Sequence, residues 1–179
     1  MAITLSNIDS NSRPEMFVFW VDNPSGANKI YYKIGWNVNT SGDASSWSSR
    51  IDTGIQPGDE TQGLGARIAI LNDIGSSSVR DVLVFWIDNP VGNNKGYYVV
   101  GADINSSGYP SWSSRKEIPN YFRGVGDETQ GAGVVIRSIG NSDGGRVEAV
   151  FMWIDNPAGD NYARYRVEWS GRMGTDSHN

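Results

Sequence analysis

The phrase FWVDNPSGAN beginning at Phe19 returns as FWIDNPVGNN at Phe85 and as MWIDNPAGDN at Met152. Its tryptophans, Trp20, Trp86 and Trp153, lie 66 and 67 residues apart, and aligning on them brings Gly26, Gly92 and Gly159 into register. Asn28, Asn94 and Asn161 follow, then Tyr32, Tyr98 and Tyr165. SWSSR recurs at Ser46 and Ser111, and GDETQG at Gly58 and Gly126. The chain divides into repeats over 1–57, 58–125 and 126–179, the third lacking a SWSSR segment. Such units are each too small to bury their own apolar faces, so neighbours must stack to form a core.

What each unit folds into follows from its punctuation. In the second repeat the β-branched and aromatic runs ARIAIL (from Ala66), DVLVFWI (from Asp81), KGYYVVGADI (from Lys95) and SWSSRKEI (from Ser111) are separated by NDIGSSSVR, DNPVGNN and NSSGYP. Alternation of such runs with turn residues predicts four antiparallel strands in a meander. The sequons at Asn39 and Asn105 read as turn residues on the same grounds. In the WIDNPxGxN phrase, Pro fixes φ, Gly permits positive φ, and the Asp and Asn side chains bond local backbone, which predicts the turn from strand two to strand three. The apolar runs MFVFW, VLVFW and AVFMW are nearly continuous, which predicts second strands covered on both faces. The expected fold is therefore all-β: three propeller-like repeats, the third incomplete. Propellers have roughly four to eight blades, so three leave a ring open. Assembly of subunits, a dimer being favoured, closes it. The alternatives are three sheets packed as a prism, or a short fourth strand from the tail.

The sections GLGARIAILNDIGSSSVRDVLVFWIDNPVGNNKGYYVVG and GAGVVIRSIGNSDGGRVEAVFMWIDNPAGDNYARYRVEW resemble the VCBS/FG-GAP class of repeats, whose fold is the integrin-like β-propeller. The resemblance implies a calcium loop between strands one and two. Carried over residue by residue, it assigns Asn7, Asp9, Asn11 and Glu15 of NIDSNSRPE as candidate ligands, oxygen donors that suit a hard cation. The second repeat offers Asp73, Ser77 and Asp81, with Gly75 replacing a ligand, and the third offers Asn141, Asp143 and Glu148 out of register.

Little here points to catalysis. The net charge of -5 supplies no footprint for nucleic acid or anionic membrane. No apolar run approaches the roughly 18 residues of a membrane span, and the start MAITLSNIDSNSR lacks a signal-peptide pattern. With no Cys, the expected location is the cytoplasm or leaderless secretion. The single His, His178, reads as part of the tail, and no Ser sits in a GxSxG elbow. Asp59 with Glu60 and Asp127 with Glu128 are paired carboxylates, but adjacent extended residues point to opposite faces. No catalytic residue is therefore assigned.

Binding is the better reading. Sugars pack a C–H face on an aromatic ring while their hydroxyls meet planar polar groups. Trp36, Trp47 and Trp112 are candidate rings, the last two expected to be exposed on the more polar strand. Asp22 with Asn23, Asp88 with Asn89, Asp155 with Asn156, the Asp59/Glu60 and Asp127/Glu128 pairs, Gln62 and Gln130 are the candidate polar half. Trp20, Trp86 and Trp153 are assigned to the core, and Arg50 and Arg115 are placed to pair with the DE carboxylates. The expected function is multivalent, noncatalytic carbohydrate recognition. Two alternatives are a scaffold whose aromatics bind only its own neighbours, and an enzyme using the GDETQG carboxylates.

Overall fold

A computed structural model describes residues 1–9, 11–23, 27–58, 63–69, 80–88, 95–118, 130–138, 147–155 and 162–169. These residues form three antiparallel sheets, one per repeat, with no helix among them and no sheet closed into a barrel. The first sheet runs β1 (Ala2–Ser6), β2 (Glu15–Asp22), β3 (Lys29–Trp36), with the two-residue strands β4 (Ser46–Trp47) and β5 (Ile51–Asp52) both along β3. The second repeats it: β6 (Gly63–Ala69), β7 (Asp81–Asp88), β8 (Lys95–Ala102), then β9 (Ser111–Trp112) and β10 (Lys116–Glu117) along β8. In the third, β11 (Gln130–Ser138), β12 (Val147–Asp155) and β13 (Tyr162–Trp169) form the meander.

The expected meander is thus present, with one refinement. The fourth strand is split in two, because a serine hydroxyl replaces a ladder carbonyl. Ser113 Oγ accepts the Val100 amide at 3.0 Å, and Ser48 Oγ accepts the Ile34 amide at 2.9 Å. The second serine of SWSSR is therefore a bulge device, which re-aims the strand after the tryptophan.

Register fixes which residues share a face. Phe19 stands opposite Ala2 and Tyr32, Phe85 opposite Gly65 and Tyr98, and Met152 opposite Gly133 and Tyr165. Strand alternation sends Phe17, Phe19, Tyr32 and Ile34 of the first sheet against Val82, Val84, Trp86 and Val99 of the second in one core. The opposite face of the second sheet, with Leu83, Phe85, Ile87 and Tyr98, meets Val134, Ala149, Phe151 and Trp153 of the third in another. The two cores lie on opposite faces of the middle sheet rather than in one shared interior.

That arrangement corrects one expectation. Every residue of β7 is buried, as a strand covered twice requires, but β2 alternates between buried and half-buried positions. In β12, Phe151 and Trp153 are buried while Met152 and Ile154 are exposed. Similar apolar runs meet different surroundings because, among the described residues, only the middle sheet has a neighbour on each side. Trp20 likewise is half-buried where Trp86 is fully buried.

The sheets meet closely along their first strands. A Cβ added at Gly65 would stand 2.9 Å from the Gly133 Cα, so β6 and β11 touch backbone to backbone. Polar bonds pin the border between the first two repeats. Trp86 Nε1 donates to the Pro57 carbonyl at 2.9 Å, the Tyr32 hydroxyl to the Gly108 carbonyl at 2.9 Å, and Arg80 Nε to the Asn7 carbonyl at 2.7 Å. Gly65→Ala must push β11 from β6 and is expected to cost about 1–3 kcal/mol, the range for overpacking. A shift of the urea midpoint at unchanged m value checks this, and a variant as stable as the wild type contradicts it.

Candidate functional site

The third-strand-to-fourth-strand turn is built the same way twice. Asn37 and Asp103 adopt positive φ, 53° and 54°, as Asn and Asp tolerate better than other side chains. Asn39 Oδ1 accepts the amides of Ser41 and Asp43, both at 2.9 Å. Asn105 Oδ1 accepts those of Ser107 and Tyr109, at 2.9 and 3.1 Å. Both asparagines are turn residues, as their sequence context indicates. In the second repeat the turn reaches the first sheet, since the Gly108 carbonyl receives the Tyr32 hydroxyl. Burial pushes that phenol well above its ordinary range, so it stays a donor.

This turn sets an aromatic border between the first two sheets. Tyr109, next along the chain, is 52% exposed. Trp112 meets the Tyr32 ring edge-on at 6.3 Å between centroids and packs, half-buried, on the core between the sheets. Trp36, at the end of β3, packs half-buried on the same core. Tyr109 was not visible as a candidate because the first repeat has Asp43 in its place. The signal was the turn itself, in which the residue after a positive-φ glycine stands at a tip.

Trp112 therefore corrects the expectation of a freely exposed ring. Its counterpart Trp47 is 50% exposed and packs against Gly35, where an added Cβ would stand 3.0 Å from the ring. The two differ because Trp112 has the first sheet beside it and Trp47 faces outward.

Two Asp residues of the repeated phrase, Asp22 and Asp88, are engaged structurally. Asp22 accepts the Asn23 amide at 2.9 Å and pairs with Arg50 at 3.1 Å, while the Arg50 guanidinium lies 4.5 Å above the Tyr31 ring, itself stacked on Trp20. Arg115 repeats this over Tyr97, at 4.6 Å, with Tyr97 stacked on Trp86. Both arginines cap an aromatic ladder. Asp88 is buried with its carboxylate against Gly58, where it leaves no room for a Cβ and where a φ of +115° also favours glycine. Asn28 Nδ2 reaches the Gly58 carbonyl at 2.6 Å, so the first phrase also ties down the segment joining two repeats. Gln130 opens β11 opposite Ile154, and Asp155 closes β12 opposite Tyr162. The side chains of those two, and all of Asn89, Asn156, Asp59, Glu60, Gln62, Asp127 and Glu128, lie outside the described residues.

The loop between β1 and β2 gathers the four residues carried over as calcium ligands. Asp9 accepts the Asn11 amide at 3.1 Å and the Asn11 side chain at 2.6 Å, and Asn11 Nδ2 also reaches Asn37 Oδ1 at 2.9 Å. Asn11 Oδ1 takes the Arg13 amide at 2.7 Å, and Asn7 Nδ2 donates to the Asn11 carbonyl. Glu15, fully buried, accepts the Ile8 amide at 2.8 Å. Two buried oxygens, Asn7 Oδ1 and Glu15 Oε1, have no hydrogen-bond partner among the described residues. Orphan acceptors are the condition a hard cation relieves, and in this respect the donor set fits calcium, although no cluster of three carboxylate, His or Cys groups converges among the described residues. In the second repeat Asp81 Oδ1 instead accepts the Asp103 amide at 2.8 Å. Asp73, Ser77, Asn141 and Asp143, and the side chain of Glu148, lie outside the described residues.

No family model, no curated protein and no solved structure matches this chain.

Desolvation by burial holds the Glu15 carboxyl above its ordinary value of 4.5, against the opposing bond from Ile8. A raised folded-state pKa favours the fold below the unfolded value, and that advantage is lost as pH rises through the folded one. Glu15→Gln keeps an oxygen for Ile8 and cannot ionise. In chelator it is expected to melt above the wild type at pH 7, the gap closing as pH falls toward 4. A gap that widens on acidification contradicts this.

Proposed function

We propose that this chain is a noncatalytic carbohydrate-binding repeat protein whose sheets act as propeller-like blades and whose ligand lies at the borders between them. The supporting observation is the aromatic border of Trp36, Tyr109 and Trp112, contributed by two adjacent sheets and left partly open to solvent. Rings held by a core at one edge are rigid, so a pyranose C–H face packs on them with little ordering cost. Amides, hydroxyls and carboxylates of the turns, with Asn39, Asp43 and Ser45 beside Trp36, supply hydrogen bonds to the sugar's hydroxyls. Repetition raises weak single-site affinity without new contacts. The blade reading is supported by the central sheet, which is covered on both faces by copies of itself.

Tyr109→Ala removes an exposed ring and leaves the core intact. On a glycan array, a signal for the wild type that falls at least about tenfold in Tyr109→Ala, with unchanged circular dichroism, is the expected outcome. No bound glycan, or equal binding by both proteins, overturns the reading. Cleavage of a bound glycan that stops in Glu60→Gln or Glu128→Gln would turn it into an enzyme's site.

We further propose a structural calcium ion in the β1–β2 loop, held by Asn7, Asp9 and Glu15 and bracing the strand pair electrostatically. Calcium is expected to raise the melting temperature of the wild type but not of Glu15→Gln at pH 7. The same melting temperature in calcium and in chelator removes the ion from the account.

A further inference from the structure

The outer faces of the first and third sheets are the two halves of an interface that the chain already contains twice. On the first sheet, Ile3, Leu5 and Trp20 occupy the register positions that Ala66, Ile68 and Trp86 hold on the second. The latter three are buried against the first sheet, whereas Ile3 is 53% and Leu5 50% exposed. On the third sheet, Met152, Ile154 and Tyr165 stand where Phe85, Ile87 and Tyr98 stand on the second. Those three are buried against the third sheet, whereas Ile154 is 46% and Tyr165 71% exposed.

The exposed apolar surface is concentrated on these faces. Of the nine large exposed hydrophobic residues among those described, Ile3, Leu5 and Trp47 lie on the first, and Val135, Met152, Ile154 and Tyr165 on the second. Patches of this kind mark interaction sites rather than ordinary surface. The close-approach site is present as well. Gly65 admits the backbone of Gly133, whereas among the described residues a Cβ built at Gly133 would meet within 4 Å only Met152 Cε of its own sheet, at 3.6 Å, and no other sheet.

We infer that two copies of this chain associate head to tail, the third sheet of each packing on the first sheet of the other, so that six sheets close a ring. A second copy is the occupant because each outer face carries the residues complementary to the other, and neither is complementary to itself. Chains of three sheets reach the four-to-eight range of closed blade rings only in pairs. The correspondence extends to a hydrogen bond. The Tyr32 hydroxyl donates to the Gly108 carbonyl of the next sheet, so Tyr165 donates to the Gly42 carbonyl of the partner, whose turn has the same geometry, with φ of 88° at Gly42 and 82° at Gly108. Trp47 is then covered by Tyr165 as Trp112 is by Tyr32. The inference is independent of what the borders bind.

Native mass spectrometry and light scattering of the 179-residue chain test it. The expected mass is twice the 19.6 kDa of one chain. A monomer at every concentration, or a mass that grows without limit, overturns the closed pair. Leu5→Arg and Ile154→Arg alter exposed side chains, so the fold persists by circular dichroism, and each alone is expected to be monomeric. An equimolar mixture of the two is expected to regain a dimer, because it holds one contact with neither substitution. Failure of the mixture to pair, or persistence of the dimer in either variant alone, rules out the head-to-tail arrangement. Tyr165→Phe isolates the hydroxyl and is expected to raise the dissociation constant about two- to tenfold; no change removes that bond from the interface.

Discussion

Everything in this molecule depends on sheets that are apolar on both sides and have too little of their own structure to cover either. Each repeat presents one face led by a tryptophan and another led by a phenylalanine or methionine. The tryptophan face of one sheet fits the opposite face of its predecessor. Burying a large side chain in this way is worth roughly 1.5–3 kcal/mol, and β7 contributes eight consecutive buried residues. A free sheet would lose that gain twice over. The stack is therefore the smallest unit in which even one sheet is satisfied.

Polar chemistry decides how the sheets sit on each other. The Trp86 indole on Pro57, the Tyr32 phenol on Gly108 and Arg80 on Asn7 each join one repeat to the next at an otherwise greasy border. Buried donors left unmade are costly, so these bonds fix register along the border. The same economy explains the motif. In the first phrase, Asp22 and Asn28 hold an arginine and the joining segment rather than reaching for ligand. On the carbohydrate-binding reading proposed above, the ring edges that the stack exposes at its borders are the surface left for ligand.

Much of this was legible in the residues. The starts of the second and third strands of the second repeat at Asp81 and Lys95, the all-β class and the core role of Trp86 and Trp153 followed from turn residues, β-branched runs and period, whereas its first strand begins at Gly63 rather than Ala66. The split of the fourth strand was not, because a hydroxyl substituting for a carbonyl leaves no trace in hydrophobic pattern. Nor was the difference between Trp47 and Trp112. Identical SWSSR segments carry identical local preferences, and only the presence of a neighbouring sheet decides which ring is covered. Tyr109 was missed for the opposite reason, since alignment of the repeats directs attention to what recurs and Tyr109 replaces an aspartate. The Asp88 carboxylate looked like a sugar ligand and proved to be buried against Gly58, the first residue of the same repeat, a contact that local spacing around the motif does not reveal.

The central claim is that the middle sheet is covered on both faces by its neighbours in the same chain. Nuclear Overhauser contacts between aromatic side chains in solution address it directly. The account predicts cross-peaks between Phe85 and Phe151, whose ring centroids are 4.9 Å apart, and between Tyr32 and Trp112 on the other face. Cross-peaks on one face alone, or on neither, would contradict it.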